Sequence, residues 1–69
     1  MNARQAAEES HKMTSELLDS AKRLAEEKGI SIEDAIDYKV SVYEKYAKNA
    51  TEATAWYLRG ESAKKMIAV

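Results

Sequence analysis

The chain holds one histidine, no cysteine and five aromatic side chains, and that inventory limits the chemistry open to it. Nucleophilic catalysis needs an activated thiol, hydroxyl or amine beside a base that a third group orients. His11 has no identifiable Ser and Asp partners, and no glycine-rich loop precedes a helix to cradle phosphates. An enzyme is therefore not expected. Glu8 and His11 stand at the Glu-x-x-His spacing that di-iron helical bundles use, with Glu52 as a third ligand from a facing helix. Glu8 and Glu52 fall on outward arcs, however, so His11 reads as a surface residue and no metal or cofactor is expected.

Binding chemistry has more to work with. All five aromatics, Tyr38, Tyr43, Tyr46, Trp56 and Tyr57, lie in the second half of the chain. Such rings suit core and subunit packing first, and nucleobase stacking second. Arg59, Lys64 and Lys65 follow Trp56 and Tyr57 closely, where guanidinium and ammonium groups could hold phosphates against a stacked base. Lys39 falls near the middle of an apolar arc. Either its stem lies along the helix seam while the ammonium reaches Asp19 or another acid of the first helix, or it meets an anion between subunits. The ligand-binding set is thus Lys39, Tyr43, Trp56, Tyr57, Arg59, Lys64 and Lys65.

The elements that position these residues are helical throughout. From Asn2 or Ala3 to Lys28 nothing breaks a helix, and Ala3, Ala7, Ser10, Thr14, Leu17, Ala21 and Leu24 alternate by four and three as a heptad seam. The first half of that seam is small, which lets a neighbour approach closely. Gly29 supplies the left-handed residue after the helix, and Ser31 caps the next one with Glu33 and Asp34 in its first turn. So short a link predicts an antiparallel hairpin in which Leu24 faces Ile36, Leu17 faces Tyr43, Ser10 faces Ala50 and Ala3 faces Tyr57.

The second helix is expected to run unbroken from Ile32 to about Arg59. Its apolar residues span roughly half its circumference, against the stripe of about 100° that a surface helix ordinarily shows. At Gly60 it either stops, leaving Glu61 to Val69 as a short third helix or tail, or continues at a cost of about 1 kcal/mol relative to alanine. In the continuous case Met66, Ile67 and Val69 overhang the hairpin and need cover. The expected fold is an all-α antiparallel hairpin of two long helices, one domain over residues 1–69, assembling as a dimer or larger homo-oligomer. Tyr38, Val42, Tyr46, Asn49, Trp56 and Ile67 form its subunit interface, with Asn49 either setting register as buried asparagines do in coiled coils or lying exposed.

Length supports association. A 69-residue chain buries only about 60 % of the surface its unfolded form exposes, and without cysteines oligomerisation is the remaining staple. No apolar run approaches a membrane span and the N-terminus lacks a signal-peptide core, so a cytoplasmic protein is expected. The net charge of −1 disfavours a dedicated nucleic-acid binder. Charge is uneven, with five Lys or Arg against nine Asp or Glu before Lys39 and six against three from there on. Helix dipoles account for part of that asymmetry, and an anionic ligand for the basic half is the alternative.

The run Glu52-Ala53-Thr54-Ala55-Trp56 resembles hairpin proteins that viruses use to sequester cyclic dinucleotides. The likeness is confined to that run and carries no site across. Small helical dimers that regulate plasmid copy number by binding RNA are similar in architecture alone, and architecture does not carry function. The functional expectation is a non-enzymatic helical oligomer that binds a protein as an inhibitory or regulatory module. The alternative is a protein that binds or sequesters a nucleotide or other phosphate ligand between subunits, and third comes an RNA-binding dimer.

Overall fold

The computed structural model describes residues 2–68 and consists of three helices: α1, Ala3–Lys28; α2, Ile32–Lys45; and α3, Ala50–Ile67. Each end of α1 has a local cause. The Asn2 side chain accepts from the Gln5 N–H at 2.9 Å, and the Asn2 N–H donates to Gln5 Oε1 at 3.1 Å, so two otherwise orphaned donors are satisfied reciprocally. At the other end Gly29 takes φ 65°, and its N–H and that of Ile30 both reach the Ala25 carbonyl. Ser31 then accepts from the Asp34 N–H at 3.0 Å and opens α2.

The expected long second helix is divided. Helix α2 stops at Lys45, Tyr46 lies at φ −96°, ψ 4°, and a new helix begins after Asn49. Asn49 accepts from the Glu52 N–H at 2.8 Å, while the Glu52 carboxylate accepts from the Lys48 N–H at 3.2 Å. Asn49-x-x-Glu52 is therefore a start signal, and the asparagine expected to set oligomer register is a helix cap. The third helix is correspondingly long and begins ten residues before Gly60 rather than after it.

Gly60 lies inside α3, buried against α2. A Cβ placed there would sit 2.6 Å from Val40 Cγ2, so the missing side chain is what lets the two helices approach. Asp37 pairs with Lys64, Val40 abuts Gly60 and Tyr43 stacks on Trp56, so contacts advance along α2 as they retreat along α3. The two run antiparallel. Each helix packs on both of the others around Leu17, Leu18, Ala21, Ala25, Ala35, Ile36, Val40 and Ala63.

This fold-back changes how the broad apolar arc is used. Trp56, Tyr43 and Ile67 pack against the core of their own chain, and Val42 is half-buried. Because the chain turns at Tyr46–Asn49, the expected pairings of Ser10 with Ala50 and Ala3 with Tyr57 no longer belong to a two-helix register. Helix α1 is about 39 Å long at 1.5 Å per residue, close to the 40 Å longest extent of the molecule, against about 21 Å for α2 and 27 Å for α3. Every residue from Asn2 to Lys12 is exposed, and Thr14 is the first that is buried. The start of α1 thus overhangs the bundle; at the other end Ile67 packs on the core, while Met66 is 43 % exposed as expected. Val69 lies outside the described residues. Among them, no helix is long and apolar enough to cross a membrane.

Candidate functional site

The best-organised side-chain cluster lies where α3 meets the other two helices. The rings of Tyr43 and Trp56 stack with centroids 4.2 Å apart and planes inclined by 22°. One turn along α3, the guanidinium carbon of Arg59 sits 4.7 Å from the Trp56 ring centroid, within cation–π range. The contact with the ring holds the guanidinium against Trp56. Arg59 Nε is buried and meets no hydrogen-bond acceptor, and none of the carboxylates among the described residues lies within ion-pair distance of this side chain.

Arg59 borders a cavity of about 180 Å3 between α1 and α3, shared with Ser10, Thr14, Ala55, Leu58 and Ser62. Thr14 donates its hydroxyl to the Ser10 carbonyl at 2.9 Å, so its donor is committed. The Ser10 and Ser62 hydroxyls, both on exposed residues, have no hydrogen-bond partner among the described residues. The lining carries one positive charge and no negative one. A buried donor without an acceptor costs about 1–3 kcal/mol, and more when it is charged. An arginine whose buried Nε lacks an acceptor, bordering a cavity with two exposed serines, is a setting in which an oxyanion could be received after a small shift of the side chain.

The rest of the expected ligand set is scattered. Lys64 forms ion pairs with Asp37 and, at 3.7 Å, with Glu61, and its pKa is raised chiefly by the hydrogen bond to Asp37. Lys64 is thus a strut between α2 and α3. Tyr57 borders a separate cleft of about 150 Å3 with Asp37, Glu44 and Glu61, whose carboxylates repel a phosphate. Lys65 is exposed, and Lys39 is half-buried without the expected pairing to Asp19. Of the seven, the fold brings together Tyr43, Trp56 and Arg59. Ser62 was not legible as a member; its only signal is its place three residues after Arg59, on the neighbouring turn.

The residues assigned to a subunit interface also separate. Trp56 and Ile67 pack within the chain, Asn49 caps α3, and Val42 is half-buried. Tyr38 and Tyr46 remain 59 % and 75 % exposed. Tyr38 borders an apolar hollow of about 300 Å3 with Leu24, Lys28 and Ile30. On α3, Ala50, Thr51, Thr54, Ala55 and Leu58 make a shallow uncharged face. His11 is exposed, and no group of three His, Asp or Glu among the described residues could hold a metal ion.

No protein-family model, curated protein or solved structure matches this chain.

Proposed function

We propose that the chain is a non-enzymatic helical module that acts by contact with protein, and that a second copy of itself is the first such partner. One observation carries this reading: the α1 seam continues past its cover. Thr14, Leu17 and Ala21 are buried, whereas Ala3, Ala7 and Ser10, on the same arc, are exposed. Small side chains there admit another helix at close range. The uncharged outer face of α3 flanks the same region, since Ser10 shares a cavity with Ala55 and Leu58. A helix laid between the two would extend the bundle against small and uncharged side chains, with Arg59 the one charge bordering the seam, and an assembled surface could then serve an inhibitory or regulatory partner.

The breadth of the α2–α3 apolar arc no longer motivates association, because the fold-back uses much of it; the uncovered start of α1 does. The test is sedimentation equilibrium over a wide concentration range, with wild type and Ala7→Glu compared. Wild type is expected to associate. Ala7→Glu should dissociate it while leaving helical content unchanged, since residue 7 touches no core residue. A wild-type mass that stays monomeric to millimolar concentration would refute the proposal.

A further inference from the structure

The α1–α3 cavity invites a question separate from self-association: what accepts the hydrogen bonds of Arg59. We infer that this cavity is a binding site for the phosphoryl group of a small ligand, held by the Arg59 guanidinium together with the hydroxyls of Ser10 and Ser62.

Three features converge. The guanidinium is held in place by Trp56 at 4.7 Å, and Trp56 is held in turn by Tyr43, so the donor edge is organised before any ligand arrives. Its buried Nε has no protein acceptor, although arginine is the residue whose planar fork best matches a phosphate or carboxylate. The donors also come from different directions, Ser10 from α1 and Arg59 and Ser62 from α3. Three donors suit the three terminal oxygens of a phosphoryl group better than the two oxygens of a carboxylate. The cavity, of about 180 Å3 and open to solvent on one side, is large enough to admit a phosphoryl group. The remainder of the ligand would extend outward past exposed Leu58. All of the donors come from one chain, and a second copy seated between α1 and the outer face of α3 would cover the same cavity, so phosphate and self-association compete for this surface.

Trp56 is the chain's single tryptophan and lies against Arg59, so its fluorescence reads the site directly. The full chain is titrated with inorganic phosphate, with sodium chloride at matched ionic strength as the control. The expected result is a saturable change in Trp56 emission beyond the chloride control, with a rise in melting temperature. Arg59→Gln should abolish it. Arg59 also packs on Trp56, so Ser62→Asp provides a second variant at an exposed position: its carboxylate should occupy the guanidinium and remove the response in a chain whose circular dichroism is unchanged. Ser62→Ala should weaken apparent affinity by about tenfold or more, the equivalent of one hydrogen bond to a charged group. Two results would overturn the inference: a phosphate response no larger than that of chloride, and a response that survives in both Arg59→Gln and Ser62→Asp.

Discussion

Replacing Gly60 by alanine sets two effects of known size against each other. In an exposed helix interior the change stabilises by about 0.8–1 kcal/mol, because glycine gives up more backbone freedom. At position 60 the new Cβ would lie 2.6 Å from Val40 Cγ2, with Val40 Cβ at 3.6 Å and Ile36 Cγ2 at 3.7 Å. Carbon pairs settle at about 3.5–4.0 Å, so the Val40 methyl must retreat by about 1 Å. Val40 is buried and β-branched, with one strongly preferred rotamer in a helix, so it cannot simply swing aside. Overpacking of this kind costs about 1–3 kcal/mol. The balance is a net loss of about 1 kcal/mol for Gly60→Ala, roughly 4–8 °C in melting temperature for a domain of this size. The sharper measurement is a double-mutant cycle by urea denaturation, followed by helical circular dichroism. In a Val40→Ala background the offending methyl is absent, so Gly60→Ala should become stabilising by up to about 1 kcal/mol. If Gly60→Ala raises stability equally in both backgrounds, the close approach of α2 and α3 is not what requires glycine.

Two further outcomes follow from the caps and the ion pair. Asn49→Ala should cost about 1 kcal/mol in urea denaturation, because it strands the Glu52 N–H at the start of α3, whereas Asn49→Asp should be nearly neutral. The raised pKa of Lys64 means that its pairing contributes stability in full below the ordinary lysine pKa, and that this contribution is lost as pH rises through the raised value. Alkaline melts should therefore show a loss that Asp37→Asn removes. At neutral pH Asp37→Asn should cost about 0.2–1 kcal/mol, less in high salt, since the Asp37 side chain is largely exposed.

The limits of the first helix and the start of the second were legible because each is written locally: Asn2 and Gly29 for α1, and Ser31 for α2. The division of the second was not. Tyr46 to Asn49 holds neither proline nor glycine, and the alanines around it favour helix, so a capping pair at Asn49 and Glu52 reads as ordinary helix surface. What decides for the break is distant: Gly60 and Ala63 present a face small enough for Ile36 and Val40 to seat against, and reaching it requires a turn. Gly60 was weighed as a local stop or a tolerated defect, while its role is a contact. The same gap explains the site. Trp56 and Arg59, three residues apart on one helix, could be paired from spacing. Tyr43 joins them, and Asp37 claims Lys64, only once α3 has folded back.

The unequal lengths of the helices leave the molecule with two kinds of order. From Thr14 onward α1 is held by side chains of α2 and α3, but its first three turns are exposed, with only Ser10 bordering α3. An isolated segment shorter than about 12–15 residues is marginal in water, so these turns borrow their order from the rod they extend and from the Asn2–Gln5 cap. Their amide protons should exchange with solvent well before those of the packed region. A partner that settles on Ala3 and Ala7 would therefore add rigidity as well as contact, and part of its binding free energy would be spent on quieting that arm.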